Sequence, residues 1–388
     1  MNQAASSNNN LSLPSDRALK VWVLAPSVES NDENIDYYYD FSQSIAEYTK
    51  VFDQLQLPWK WQPVNMKTYI DIVEEIETEK NEGNCLPIVL NLCDGDEVNG
   101  TPGVSVVRLL EEKDIVYTGA DEYFYTITTS KIPMKKAFDD ANIPNASWAA
   151  IHEEGVNIEM LLKKVGSPMI IKPSVSGGSM GVGIKNVVET KEQLTALLKD
   201  LFAGYRGWNL SADGMIAEEF IKGPEFTAFI SGSYDRPNDA VIYTPVERVF
   251  HESLPETEKF LSFDRLWEIY ETESAMPDGG SFYEYRIPDE ELIESIKKLS
   301  WDAYCATKGR GYTRIDIRMD ATTKKMFVLE VNAQCGISED ENYTSIGAIL
   351  KVSEKSFTQL VEEIILDALK RASLKKLSYL NKNNEARA

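Results

Sequence analysis

The chain has 388 residues, 43% of them apolar and 26% charged, with a formal net charge of −22. That length exceeds one ordinary core and predicts two or three domains, while the acidic balance argues against a nucleic-acid backbone or an anionic membrane as partner. Four cysteines without a C-x-x-C pair (Cys85, Cys93, Cys305, Cys335) suggest neither a zinc knuckle nor a disulfide framework, and two histidines, His152 and His251, disfavour His-rich metal sites and a Ser-His-Asp mechanism.

No apolar run approaches the roughly 20 residues that span a bilayer. The opening MNQAASSNNNLSLPSD lacks the basic and apolar regions of a secretory signal, so a cytoplasmic chain is expected, with residues 1–17 disordered in front. Residues 19–25 (LKVWVLA) read as a buried strand. An acidic segment (Glu29, Asp32, Glu33, Asp36) and an aromatic one (Tyr37, Tyr38, Tyr39, Phe41) follow. Phe41, Ile45, Tyr48, Val51, Phe52 and Leu55 recur at helical spacing. Further on, strands are expected at Trp59 to Val64, 88–92 and 115–117, and helices at 69–80 and 104–112, with a polar loop over 93–101. Strands alternating with helices predict a parallel sheet whose ligand crevice lies at the strand C-termini.

Residues 123–141 read as mostly helical, and Pro144 opens a new unit. A short strand at 169–172 delivers Lys172 to a glycine-rich loop, PSVSGGSMGVG, over 173–183; a strand resumes at 185–188. Thr190 and Gln193 form a capping box for a helix through Phe202. Strands are expected at 216–221, 225–231 and 240–246. Residues 250–282 are aromatic and charged with little periodicity, and a loop of that length is usually functional or mobile. Asp289 N-caps a helix through Thr307, a hairpin covers 312–332, an acidic loop covers 338–344, and Phe357 to Leu369 make a final amphipathic helix before a polar tail.

The hairpin carries the strongest chemistry. Alternation places Ile315, Ile317 and Met319 on one face and Arg314, Asp316 and Arg318 on the other; in the second strand Phe327, Leu329 and Val331 alternate with Val328, Glu330 and Asn332. With a loop over 321–325, Asp316 faces Glu330. Two carboxylates and an amide oxygen near one point suit Mg²⁺, and Arg314 beside them suits phosphate. A solvent-facing hairpin whose charges merely alternate is the other reading. The glycine-rich loop lets backbone amides approach anionic oxygens, with Lys172 as a point charge, although it matches neither the P-loop nor the Rossmann pattern; a plain flexible turn is the alternative. Glu218, Glu219 and Glu225 flank Phe220-Ile221, where one carboxylate can accept from an adenine amino group, a second from ribose hydroxyls, and the Ile221 backbone can pair with the ring edge. A solvated acidic edge is the alternative.

Taken in order, Lys131, IIKP with the glycine-rich loop, EEFIKGPEFT, RIDIRMD and LEVN resemble the ATP-grasp superfamily, and within it the D-alanine–D-alanine ligase-like branch, over roughly 87–369. The resemblance implies an α/β ATP-grasp fold. It would have an N-terminal parallel α/β domain over 18–130, a central lid over 131–222, a C-terminal α+β catalytic domain over 223–372 and a tail over 373–388. It implies ATP and Mg²⁺ as cofactors, with Mn²⁺ substituting, and amide formation through an acyl phosphate with release of ADP and phosphate. Lys131 and Lys172 would contact phosphates beneath a flap containing Gly177, Gly178, Ser179 and Gly181. Glu218 and the Ile221 backbone would hold adenine and Glu225 the ribose, with Glu219 also in the ATP site. Asp316, Glu330 and Asn332 would ligate the metal. Arg314 and Ser179 would act in catalysis.

The acceptor side departs from the family pattern. The place of an early glycine-rich motif reads APSVESNDEN, an HG-containing loop is replaced by Cys93-Asp94-Gly95-Asp96, and a flap serine corresponds to Gly178. Arg265 is the nearest substitute for a loop lysine. Gly336, Ser338 and Ser345 border a longer acidic loop whose Glu339, Asp340 and Glu341 would repel a free amino-acid carboxylate. The expectation is an acid–amino-acid ligase for a small carboxylate other than D-alanine, for example a mycosporine-type one, acting on small molecules as a homodimer. Dipeptide synthesis and a non-catalytic ATP-binding regulator are the alternatives.

Overall fold

The computed structural model describes residues 17–28, 40–204, 208–270, 273–277, 279–342 and 344–385. The expected tail over 1–17 lies, apart from Arg17, outside the described residues, as do the acidic positions from Glu29 to Asp36 and the aromatic run Tyr37, Tyr38 and Tyr39.

The first unit comprises β1 (Ala18–Pro26), α1 (Ser42–Leu55), β2 (Trp59–Val64), α2 (Tyr69–Glu82), β3 (Cys85–Asn91), α3 (Val104–Glu112) and β4 (Val116–Tyr117). All strands are parallel, in the order β2-β1-β3-β4. The unbroken apolar run of β1 follows from burial on both faces. Val21 and Val23 pack with Tyr48, Val51 and Phe52 of α1. Trp22 and Leu24 pack with Ile72, Val73 and Ile76 of α2 and with Val106 and Leu110 of α3.

The segment expected as mostly helical over 123–141 comprises two helices, α4 (Glu122–Thr129) and α5 (Lys131–Asp140), parted at extended Ser130. Pro133 accounts for the break: in a continuous helix its ring would clash with the Thr129 carbonyl, whereas it fits the first turn of α5. Met134 and Phe138 of α5 pack against the large C-terminal sheet rather than the small central one, so the helix that begins at the expected lid boundary belongs to the catalytic core.

The central unit is β5 (Trp148–Ile151), α6 (Ile158–Val165), β6 (Met169–Pro173), β7 (Val187–Val188), α7 (Lys191–Ala203) and β8 (Met215–Glu219). Its antiparallel sheet runs β5-β8-β6-β7. The glycine-rich loop bridges β6 and β7, as expected, and the Thr190 hydroxyl accepts from Gln193 N–H to cap α7. β5 and α6 had no counterpart among the expected elements.

The third unit is β9 (Glu225–Ser233), β10 (Val241–Ile242), β11 (Val246–Phe250), α8 (Phe263–Trp267), β12 (Tyr283–Arg286), α9 (Glu290–Ala306), β13 (Arg310–Met319) and β14 (Met326–Ala333), closed by α10 (Ser345–Val352) and α11 (Phe357–Glu385). Its antiparallel sheet runs β12-β11-β9-β13-β14, with β10 on β9. Leu360, Val361, Ile364 and Leu369 of α11 join Leu19 and Val21 of β1 in one core, which fastens the first unit to the third; such side chains contribute about 1.5–3 kcal/mol each on burial. α11 runs on to Glu385, so most of the tail expected over 373–388 is helical. Among the described residues no helix is long and apolar enough to cross a membrane.

Candidate active site

A cavity of about 730 Å³ lies where the three units meet. Pro26, Tyr48 and Asp94 line it from the first unit, the loop after β6 from the second, and Arg314, Asp316, Glu330 and Asn332 from the third.

At the end bordered by β6 and β8, Lys172 Nζ donates to Glu218 Oε2 at 2.8 Å, and Lys135 Nζ stands 2.6 Å from Glu218 Oε1. Lys135 also donates to the Val328 carbonyl at 3.2 Å and is fully buried. Burial pushes the Glu218 carboxyl up, but the two ammonium groups outweigh it and bring the carboxyl down to about 2. Burial lowers the Lys172 ammonium and the carboxylates of Glu218 and Glu330 overturn that, so its pKa is raised. Lys131 lies 3.9 Å from Glu330 Oε2 and donates to the Ser176 carbonyl at 3.4 Å; burial leaves its pKa lowered. Glu218 was expected to present a free carboxylate to adenine. Both of its oxygens face lysines instead, and exposed Glu219 is the carboxylate left open at this edge. Lys135 was not anticipated. Its signal was the i, i+4 spacing from Lys131 in KIPMKK, which puts both ammonium groups on one side of α5.

Glu225 was expected to be free for ribose. Arg248 holds one oxygen, and Arg318 Nη2 donates to the other at 2.6 Å. Arg318 also donates to the Lys259 carbonyl at 2.6 Å and to the Ile221 carbonyl at 3.2 Å. Gly223, in the turn leading to Glu225, has φ of +142°, and a Cβ there would meet the Met319 carbonyl oxygen at 2.2 Å.

On β13 and β14 the expected pairing holds at the chemistry: Asp316 faces Glu330 and Arg314 faces Asn332. The register shifts between Asp316 and Ile317, where Val328 rather than Leu329 becomes the partner. This bulge corrects the strict alternation. Val328 turns into the core and Leu329 lines the cavity, the reverse of the expected faces. Asp316 Oδ2 accepts from Arg314 Nε and Nη2 at 3.1 and 3.0 Å and from Asn332 Nδ2 at 3.1 Å, while Oδ1 accepts from the Thr227 hydroxyl at 2.9 Å. Burial works against the Arg314 charge, but Asp316 beside it leaves its pKa raised. Among the described residues no three His, Cys, Asp or Glu side chains cluster as a metal site. The donors gathered here are two carboxylates and an amide, a hard-oxygen set that fits a divalent cation sharing its remaining positions with phosphate and water.

Leu261, Phe263 and Trp267, from the segment expected as a long loop, lie over the flap. The Trp267 indole N–H donates to the Gly178 carbonyl at 2.9 Å, the Ser179 hydroxyl to the Leu261 carbonyl at 3.0 Å, and the Phe263 N–H to the Val182 carbonyl at 2.8 Å. Gly178 has φ of +54°, and a Cβ on it would sit 2.9 Å from the Trp267 ring. The Ser179 hydroxyl thus ties the flap to the loop, on a residue that also lines the cavity. Phe260, Leu261, Phe263, Leu266 and Trp267 line the cavity. Arg265 does not: its guanidinium turns into the loop, bonding Glu258 Oε2 at 3.0 Å and standing 3.4 Å from Glu273 Oε2. The expected substrate role for Arg265 is therefore corrected to one within the loop. The feature that misled was spacing, which placed a cation near the right point of the chain without its direction.

Gly336, Ser338 and Ser345 line the opposite end, beside Arg314, and the Ser338 hydroxyl donates to Glu47 Oε1 at 2.7 Å. The acidic loop does not point its charge inward as expected. Glu339 pairs with Lys50 at 2.9 Å and Glu341 with Lys351 at 2.7 Å, and neither lines the cavity.

The family model described as D-ala D-ala ligase C-terminus matches residues 137–366. The chain belongs to that family. It is 26% identical over 270 residues to the D-alanine–D-alanine ligase of Idiomarina loihiensis, covering 69% of this chain and 76% of that one. It is 27% identical over 271 residues to that of Desulforudis audaxviator, covering 69% and 77%. Among solved structures, D-alanine–D-alanine ligase from Bacillus anthracis complexed with ATP superimposes with a TM-score of 0.63 at 18% identity, over 92% of this chain and 99% of that one. The Coxiella burnetii enzyme does so with a TM-score of 0.61 at 15% identity, over 96% and 100%. This D-alanine–D-alanine ligase-like chain has the α/β ATP-grasp fold and is an ATP-dependent ligase that forms C–N bonds, acting on small molecules with ATP and a divalent metal. The non-catalytic alternative is set aside.

Proposed function

We propose that the chain joins a carboxylate to an amine through an acyl phosphate, with Asp316, Glu330 and Asn332 holding Mg²⁺, for which Mn²⁺ substitutes. The observation that carries this reading is the convergence of Lys131, Lys172, the flap and the Asp316–Glu330 pair with Arg314 on one cavity. Bound there, the metal neutralises phosphate charge and keeps the reacting oxygens in line.

Lys131 and Lys172 bind the β- and γ-phosphates beneath the backbone amides of Gly177, Gly178, Ser179 and Gly181. Glu219 and the Ile221 backbone take the adenine edge, and Glu225, steadied by two arginines, accepts from ribose. The substrate carboxylate attacks the γ-phosphorus, and the β,γ-bridging oxygen leaves with ADP. The substrate ammonium gives up a proton to water, the free amine attacks the acyl carbon, the carbon–oxygen bond to phosphate breaks, and phosphate departs with the second amine proton. Arg314 stabilises the acyl phosphate and the oxyanion that follows. The flap and the loop over 250–282 exclude water, which would otherwise hydrolyse the intermediate.

On the acceptor side, Gly336, Ser338 and Ser345 border the substrates. We assign an amino acid as one partner and a small carboxylate other than D-alanine, of which a mycosporine-type acid is an example, as the other. What supports this is the departure of the loop at Cys93 to Asp96 from the family pattern. Synthesis of a D-alanine dipeptide is the second reading, and the names of the relatives favour it. Homodimeric assembly belongs to the same proposal. An ADP-release screen of amino acids against candidate carboxylates, with D-alanine alone as one arm, decides between the two. Strong phosphate release with D-alanine alone selects the dipeptide reading.

A further inference from the structure

The loop from Cys93 to Gly103 is fastened in place. The Tyr125 hydroxyl donates to the Gly95 carbonyl at 2.7 Å, Gly95 N–H to the Pro102 carbonyl at 3.0 Å, and Glu97 N–H to the Thr101 carbonyl at 3.1 Å. A Cβ on Gly95 would lie 2.1 Å from the Thr101 carbonyl oxygen, so the loop is folded against itself as tightly as a glycine allows.

The loop carries three acids, and two are consumed in holding its shape. Asp96 Oδ1 accepts from Val98 and Asn99 N–H at 2.9 and 3.2 Å. Glu97 accepts from Gly103 and Ser105 N–H at 3.2 and 2.6 Å and from the Ser105 hydroxyl at 2.8 Å. Asp94 is different. Among the described residues its carboxylate has no partner beyond its own backbone amide, and it faces the cavity. It lies within electrostatic reach of Tyr312 and Cys335, beside Arg314. Its side chain is exposed to the cavity space, and desolvation by the surrounding walls, with the charge of Asp96 nearby, holds its carboxyl above the ordinary carboxylate range.

A second observation concerns the same end. Tyr48 of α1 lines the cavity, is 1% exposed, and its hydroxyl has no hydrogen-bond partner. Like Asp94, it stands within electrostatic reach of Tyr312. The guanidinium of Arg314 is already engaged by Asp316. Among the described residues that line this end, the Asp94 carboxylate and the buried Tyr48 hydroxyl are thus without a partner. Their complement carries positive charge and several N–H donors, which is an ammonium group.

We propose that Asp94 is a specificity-determining residue that pairs with the ammonium group of an amino-acid substrate at the acceptor end of the cavity. Aimed by a rigid loop, it selects amino acids over neutral acids of the same shape. This rests on the ligase reading given above.

The test begins with wild-type ADP release across the proteinogenic amino acids and D-alanine, each with ATP, magnesium and a panel of small carboxylates, and each alone. The amino acid turned over best is carried into Asp94→Asn, Asp94→Ser and Asp94→Glu, and its 2-hydroxy analogue serves as a competitive inhibitor. The expected result is a rise in KM for the amino acid of about tenfold to a hundredfold in Asp94→Asn and Asp94→Ser, with KM for ATP held within about twofold and partial recovery in Asp94→Glu. Inhibition by the hydroxy analogue stays constant. Melting temperatures at pH 8 no lower than wild type establish that the loop is intact, since the carboxylate removed is one whose charge the folded state disfavours. Unchanged KM for the amino acid in both neutral variants, or an equal loss for its hydroxy analogue, overturns the assignment of Asp94 alone. A wild-type enzyme that binds ATP but releases ADP with no pairing of amino acid and carboxylate overturns the ligase reading and this inference with it.

Discussion

Lys172 Nζ and Glu218 Oε2 lie 2.8 Å apart, and the other oxygen of the same carboxylate is held 2.6 Å from Lys135. A single buried anion thus balances two buried cations at the place where β6, β8 and α5 converge. Removing it leaves Lys135 without its anion and Lys172 with only the more distant Glu330. Glu218→Gln is expected to lower unfolding stability by about 3–5 kcal/mol, measured by urea titration at pH 7. The pH dependence has a definite sign. The folded carboxyl is depressed from its ordinary 4.5 to about 2, so its contribution is present above pH 4.5 and is lost as the pH falls toward 2. Wild type should lose stability over that window more steeply than Glu218→Gln.

Lys172 has a second use. Lys172→Ala is expected to weaken ATP binding by about tenfold or more, since it removes a phosphate-facing charge from an enclosed site. Isothermal titration with ATP and magnesium reads this directly, and unchanged affinity would remove Lys172 from the phosphate site.

Glu330→Gln keeps the shape of the side chain and deletes one of two facing carboxylates. Turnover at ordinary magnesium should fall by at least about a hundredfold, with partial rescue at raised magnesium or manganese. Wild-type ADP release from this variant would exclude Glu330 as a metal ligand.

The flap is tied down by a side chain on a different unit, through Trp267 and the Gly178 carbonyl. Trp267→Ala deletes that bond and the ring against Gly178. KM for ATP should rise, and ATP hydrolysis without amide formation should increase relative to wild type, because water reaches the acyl phosphate more often. Phosphate release compared with amide yield measures the uncoupling.

The alternating pattern of strands and helices made the parallel sheet legible, because each buried strand is short, apolar and followed by an amphipathic helix. The pairing of Asp316 with Glu330 was equally legible, since side-chain alternation acts over a few residues. The bulge at Leu329 was not: an inserted residue leaves no mark in composition, and only the burial of Val328 shows which way the strand has turned. Pairings between residues far apart in the chain were hidden for a related reason. Glu218 with Lys135, Glu225 with Arg318 and Glu339 with Lys50 join residues 83, 93 and 289 apart. Each carboxylate read alone looked available for a ligand or free to repel one, because its partner is set by how the sheets pack.

Since the cavity takes a wall from each of the three sheets, a nucleotide seated there acts as mortar between them. Scanning calorimetry should report this as loss of independence. Without ligand, the central sheet, which has an apolar core of its own, is free to melt at its own temperature. With ATP and magnesium at a hundred times the dissociation constant, about 2.7 kcal/mol is added to the assembled state alone, and the separate transitions should merge into one.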